Sequence, residues 1–194
     1  MSERSPHLST AISIAALAIL SACAAGQPPV VDYLDELTAV TITYSRTPFI
    51  MSVDTHSDVA RDFVQIGAIE VNRMGTRQYY LWLGISEVKY TESAYRHPRG
   101  FESIVFIVGG EEFQLDVRGW TQEAIGASEP VYEKLFRNTV DAYYEVTLEQ
   151  IQLLTDVDGI KFRTIGPAPK EYVSWYKSII AKDDLTEFLK TVSQ

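Results

Sequence analysis

The sequence predicts an α+β domain, a mostly antiparallel β-sheet packed with C-terminal helices. Three observations predict it. Runs rich in β-branched and aromatic residues alternate at period two from about residue 37 to 117. Gly-containing turns separate pairs of these runs, as hairpins require. Helical spacing and a helix-capping signature arrive only after residue 146. Strands first and helices after is the α+β pattern. The chain of 194 residues suits one domain with a short appendage.

The appendage is at the start. Residues 11–20 form an apolar run broken only by Ser13. Ten helical residues rise about 15 Å, half of a hydrocarbon core of about 30 Å. The run is too short to span and matches the apolar region of a signal peptide. Small residues Ser21 and Ala22 follow, and then Cys23, the only cysteine of the chain. Leu20-Ser21-Ala22-Cys23 resembles the lipobox of bacterial lipoproteins, a resemblance that covers only the first two dozen residues. It implies a signal peptide over residues 1–22, cleavage before Cys23 and a diacylglycerol on the Cys23 thiol. A further acyl chain such as palmitate on the new amine is implied as well. One acyl chain binds a bilayer marginally, whereas two or three on one residue anchor it durably. Position 24 is Ala, not Asp, which by that family's sorting rule implies the periplasmic face of the outer membrane. Residues 23–31, with Pro28 and Pro29, then read as the lipidated cysteine and an extended tether. A single periplasmic domain follows over residues 32–194. With no other cysteine it forms no internal disulfide, so its stability rests on packing.

In "TAVTITYS", Val40, Ile42 and Tyr44 share one face and Thr41, Thr43 and Ser45 the other. Pro48 interrupts, and "FIMSV" reads as a short or edge strand. "RDFVQIGAIEVN" and "RQYYLWLGISEVKY" pair across "RMGT" as a hairpin. "SIVFIV" and "EEFQLDV" pair across Gly109-Gly110. The first of these is apolar on both faces, so something must cover the far face of the sheet. Residues 119–131 read as a loop bearing one helical turn. Adjacent tyrosines, Tyr79-Tyr80 and Tyr143-Tyr144, must point to opposite faces of their strands.

Thr147 and Gln150 form a capping box for a helix carrying Leu148, Ile151 and Leu154. "DVDG" ends it, lacking the later ligands of a calcium loop. "IKFRTI" reads as a last strand. Tyr172, Trp175, Tyr176, Ile179 and Ile180 then fall on one face of an amphipathic helix. Asp183 or Asp184 caps a further helix with Leu185, Phe188, Leu189 and Val192 inward.

Composition narrows the function classes. The chain is 46% hydrophobic and 22% charged, enough for a core without staples. Its formal net charge of -9 repels phosphate backbones, so nucleic acid is not an expected partner. The charge gains nothing from an anionic lipid surface either.

Three clusters are candidates for chemistry. On an extended segment Asp54, His56 and Asp58 point to one face at steps of about 7 Å. Two carboxylates and an imidazole supply lone pairs for a divalent metal. A polar turn is the favoured alternative, because Asp, Ser and Thr bond locally to backbone amides. Arg96, His97 and Arg99 form a basic island able to hold a phosphate or carboxylate, against a solvated loop as the plainer reading. Tyr80 and Trp82 offer aromatic surface to a partner. No Gly-x-Ser-x-Gly elbow, Walker loop or Gly-x-Gly-x-x-Gly fingerprint occurs. No catalytic residue is assigned, and no cofactor is expected beyond the acyl groups on Cys23. The expected function is a membrane-anchored, non-catalytic binding module for another envelope protein. A metal-assisted hydrolase of an envelope polymer and a small-molecule or lipid carrier are the alternatives.

Overall fold

The computed structural model describes residues 27–53, 62–87, 97–155, 159–175 and 179–194. The strands are β1 (Val30–Asp35), β2 (Val40–Ser45), β3 (Phe49–Val53), β4 (Phe63–Arg73), β5 (Thr76–Ser86), β6 (Ser103–Val108), β7 (Glu111–Gly119), β8 (Val140–Val146), β9 (Lys161–Thr164) and β10 (Glu171–Ser174). Two helices, α1 (Leu148–Leu153) and α2 (Ile179–Val192), follow β8 and β10. Among the described residues no helix is long and apolar enough to cross a membrane.

Eight strands close into an antiparallel barrel in the order β4-β3-β10-β9-β6-β7-β8-β5 and back to β4. Closure depends on the length of β4. Its first half, Phe63 to Ile66, pairs with β3, and its second half, Ile69 to Asn72, pairs with β2. The β1–β2 hairpin therefore leaves the ring as a two-stranded extension.

Alternation assigns the two faces. Val64, Ile66, Leu81, Leu83, Phe106, Phe162 and Tyr172 point into the lumen and are buried. Their rings pack on one another, with Phe162 and Tyr172 stacked at 4.6 Å and Phe106 at 5.5 Å from Phe162. An eight-stranded lumen is just wide enough for side chains to fill. The outward residues of β7 and β9 include Glu112, Gln114, Asp116, Lys161 and Arg163, all exposed. Apolar inside and charged outside is the reverse of a lipid-facing barrel.

A second core lies on the outer face of β2, β4, β5 and β8. There Ile42, Ile69, Val71, Tyr80, Trp82 and Tyr143 are covered by Ile125, Ala127, Val131 and Tyr132. Two glycines make room for this cover. A Cβ on Gly67 would lie 2.3 Å from the Tyr132 ring, and one on Gly84 2.6 Å from the Trp82 ring. The Tyr132 hydroxyl donates to Ser45 O at 2.8 Å or Ala68 O at 2.9 Å, and its ring stacks on Trp82 at 4.7 Å. Helix α2 lies on the other side of β1 and β2, burying Ala181, Leu185, Phe188 and Val192 in the lumen core.

The barrel corrects the α+β expectation. Among the described residues only one helix exceeds two turns. The outward face of β6, expected to be covered, is half-buried at Val105 and Ile107, and the irregular cover lies over β2, β4, β5 and β8 instead. Period-two alternation is the same for an open sheet and a closed one, because closure is set by which edges pair. The amphipathic helix expected over Tyr172 to Ile180 is a second correction. Glu171 to Ser174 are strand β10, with Tyr172 inside the lumen and Trp175 exposed. Five residues spaced 3, 4, 7 and 8 apart cannot separate a strand followed by a helix from one helix. Asp183 and Asp184 lie within α2 and do not cap it; Asp184 Oδ2 instead accepts the Thr47 amide at 3.0 Å. Strand β1 precedes the first strand read from sequence.

The Thr147 capping box, both two-residue hairpins and the short helical turn at Gln122–Ile125 are present as expected. Met74 and Gly75 have φ of 51° and 89°, and Gly109 and Gly110 59° and 89°, the conformation that matches hairpin twist.

Candidate functional site

The site is built where the chain enters the barrel. Proline carbonyls cannot be satisfied from a neighbouring proline, because proline carries no N–H. Arg46, just past β2, supplies the donors. Its amide donates to Pro29 O at 2.8 Å, its Nε to Pro28 O at 2.5 Å and its Nη1 to Gln27 Oε1 at 3.0 Å. The segment from Gln27 onward is thus fastened to the connection between β2 and β3.

Beside this fastening opens a cleft of about 630 Å³, bordered by Gln27, Arg46, Gln65, Lys134 and Leu135 and floored by Tyr132. Its polar groups are engaged by the protein. Gln65 Oε1 accepts the Leu135 amide at 2.9 Å. Lys134 Nζ lies 2.7 Å from Asp141 Oδ2, and Asp141 Oδ1 accepts from Trp82 Nε1 at 3.0 Å. Burial pushes the Tyr132 hydroxyl far above the ordinary tyrosine range, so it stays a neutral donor.

The cleft continues into an aromatic surface. Leu135, Phe136 and Trp175 are 49%, 41% and 43% exposed. Phe63 lies between them, its ring 6.1 Å from Phe136 and 5.4 Å from Trp175. Phe63 and Gln65 both point outward from β4, so cleft and aromatic surface are about 7 Å apart on one wall. The opposite end of β4 carries a second apolar surface. Met74, in the β4–β5 turn, is 94% exposed, and Leu37, in the adjoining β1–β2 turn, 84%. Eleven residues of β4 separate the two ends by about 36 Å. Met74 holds a left-handed backbone that favours Gly or Asn, a local cost of the kind that collects at functional positions.

The residues singled out from sequence are distributed differently. Cys23, Asp54, His56, Asp58 and Arg96 lie outside the described residues. Asp62, four residues beyond Asp58, joins Glu87 in binding Lys170 Nζ, at 2.8 Å for Asp62. Burial works to lower the Lys170 pKa, but the two carboxylates outweigh it and the pKa is raised. The buried Tyr172 hydroxyl beside them has no hydrogen-bond partner among the described residues, and its pKa is raised by burial first and by the charges of Glu87 and Asp62 next. Among the described residues no group of three or more His, Cys, Asp and Glu is placed to hold a metal ion. His97 stacks on Trp120 at 4.2 Å, nearly parallel, while Arg99 is exposed.

Tyr80 and Trp82 do not form a partner surface. They are 2% and 1% exposed, because the outer face of β5 is roofed by Tyr132. Among the described residues the exposed aromatics are instead Phe136 and Trp175. Phe136 falls in an aperiodic segment, and Trp175 falls at a helical spacing from Tyr172. The only signal for Phe136 in the sequence is an apolar residue standing where no period demands one, and the spacing of Trp175 points to a helix that is not there.

Comparison with known protein families, with curated proteins and with solved structures returns no match.

Proposed function

We propose that this protein is a lipid-anchored envelope protein that works by binding and not by catalysis. In this reading Cys23 carries the acyl chains, and the barrel is a rigid platform on the periplasmic side of the outer membrane. It presents one end to another envelope protein. The resemblance of Leu20 to Cys23 to a lipobox supplies the anchor. The observation that carries the platform is the fastening of Gln27, Pro28 and Pro29 by Arg46. It leaves only residues 24–26 between the acylated cysteine and a structured wall, so the barrel stands in a set orientation to its membrane. The end that points away from the tether carries Leu37 and Met74, and this is the partner surface in our reading. Mutual packing of the lumen rings favours an external site over a carrier's cavity.

The test is affinity capture from detergent-solubilised envelopes, with wild type beside Leu37→Asp and Met74→Asp. Both positions are exposed, so the variants are expected to fold. A stoichiometric partner lost in both variants is the expected result. Equal recovery in all three refutes the assignment of the surface. A Cys23→Ala chain should leave the membrane pellet for the soluble fraction, and its retention there refutes the anchor.

A further inference from the structure

We infer that the aromatic surface formed by Phe63, Leu135, Phe136 and Trp175 is a second membrane contact, seated in the interfacial layer of the bilayer that holds the acyl chains. The inference rests on the anchor reading above, and distance is its first argument. Cys23 and Gln27 are separated by four Cα–Cα steps, so they lie at most about 15 Å apart. Gln27 is not free to swing, because Arg46 holds its side chain and the two prolines that follow. Whatever surface surrounds Gln27 is therefore brought to the lipid headgroups.

That surface is the cleft and its aromatic border. Gln27 and Leu135 line the same cleft, and Leu135 leads directly to Phe136, Phe63 and Trp175. These side chains are unlike the outward positions of β7 and β9, which are charged or polar. Trp and Phe beside Lys and Arg are the side chains that settle at a membrane–water boundary, the rings among the upper acyl carbons and the cations at the phosphates. Arg46 and Lys134 border the cleft on that side together with Glu133, but both cations are engaged within the protein, by Pro28, Gln27 and Asp141, so the rings carry the contact. The remote end fits the alternative role, since Leu37 and Met74 stand about 36 Å away along β4 and cannot reach the same bilayer. With a formal net charge of -9, the protein gains nothing from anionic lipid overall. The contact is thus apolar insertion, tolerant of zwitterionic headgroups, and too small to hold the protein without the acyl chains.

The experiment reconstitutes the full-length protein, extracted from its native membranes, into phosphatidylcholine vesicles whose acyl chains carry bromine, a contact quencher of indole fluorescence. Of the other two tryptophans, Trp82 is buried and Trp120 is half-buried and stacked on His97, and the Trp175→Phe variant reads the background that they contribute. Wild type should be quenched relative to plain vesicles, and Trp175→Phe should lose most of that quenching while still sedimenting with the vesicles. Phe136→Ser should blue-shift less on reconstitution than wild type. Equal quenching of wild type and Trp175→Phe, with both still vesicle-bound, overturns the docking and leaves the anchor standing. Failure of wild type to stay with vesicles overturns the anchor and this inference together. Absent quenching with a photo-crosslink from position 136 to a protein assigns the surface to a protein partner and overturns the lipid assignment.

Discussion

Gly67 shows how a single atom decides the outer wall of this barrel. Tyr132 lies across β4 at the point where Gly67 lacks a side chain, and a Cβ there would stand 2.3 Å from the phenol ring. Backbone on one side and Trp82 on the other leave the ring nowhere to move. Gly67→Ala should therefore cost about 1–3 kcal/mol, the range for overpacking a filled core, read as a lower urea midpoint. Tyr132→Phe keeps the ring and removes only the hydroxyl shared with Ser45 and Ala68, so its cost should be about 1 kcal/mol. A Gly67→Ala chain as stable as wild type would show that Tyr132 is not a fixed part of the wall. The residue pattern around it was half legible. Alternation placed Tyr79 and Tyr80 on opposite faces, and likewise Tyr143 and Tyr144. It could not say that the outward members were roofed, because Tyr132 comes from a segment with no period.

At the scale of elements, the segment that carries Tyr132 and Leu135 is tied to the β1–β2 hairpin by one carboxylate. Asp35 accepts the Ser128 amide at 2.6 Å and its hydroxyl at 2.8 Å, and the amides of Leu37 and Thr38 at 3.1 and 3.3 Å. The bond from the Ser128 amide is the largest cause lowering its pKa, from 3.8 to about 2. A depressed carboxylate contributes stability that is present above the unfolded pKa, near 3.8, and is lost as pH falls from there towards about 2. Asp35→Asn should accordingly be less stable than wild type at neutral pH, and the gap should close across that window. Glu70 pulls the other way. Buried, with one oxygen lacking a partner among the described residues, it has a raised pKa, chiefly through burial, and is relieved by protonation. The difference between Asp35→Asn and wild type cancels the Glu70 contribution and isolates Asp35. A gap that is constant with pH would rule out the Asp35 tie. Elements were legible from sequence where the chemistry is local. The Thr147 box and the two glycine-bearing turns are examples, each set by a few neighbouring residues. Strand β10 was not, because what makes Tyr172 a strand residue is a lumen that other strands build.

Over the whole molecule, the arrangement is polar in the literal sense of having two unlike ends. One end of β4 holds the fastened tether, the cleft and an aromatic surface; the other lifts Leu37 and Met74 into solvent. The closed barrel gives this polarity its rigidity, since every strand of the ring is paired on both sides. Nothing in a linear pattern announces closure, which depends on β3 meeting β10 and β6 meeting β9 across long stretches of chain. The proposed envelope address rests on contiguous residues, a signal-like run and a cysteine. The exposed apolar surfaces were less readable, because they are assembled from a turn, a loop and a strand end.

Acylation of Cys23 is the claim from which orientation, platform and membrane contact all descend. Intact-mass spectrometry of the full-length gene product purified from membranes addresses it in one spectrum. The account predicts a chain that starts at Cys23 and is heavier than its sequence by a diacylglycerol, with or without an added fatty acyl group. A chain that keeps residues 1–22, or one that starts elsewhere with Cys23 carrying no lipid, would contradict it.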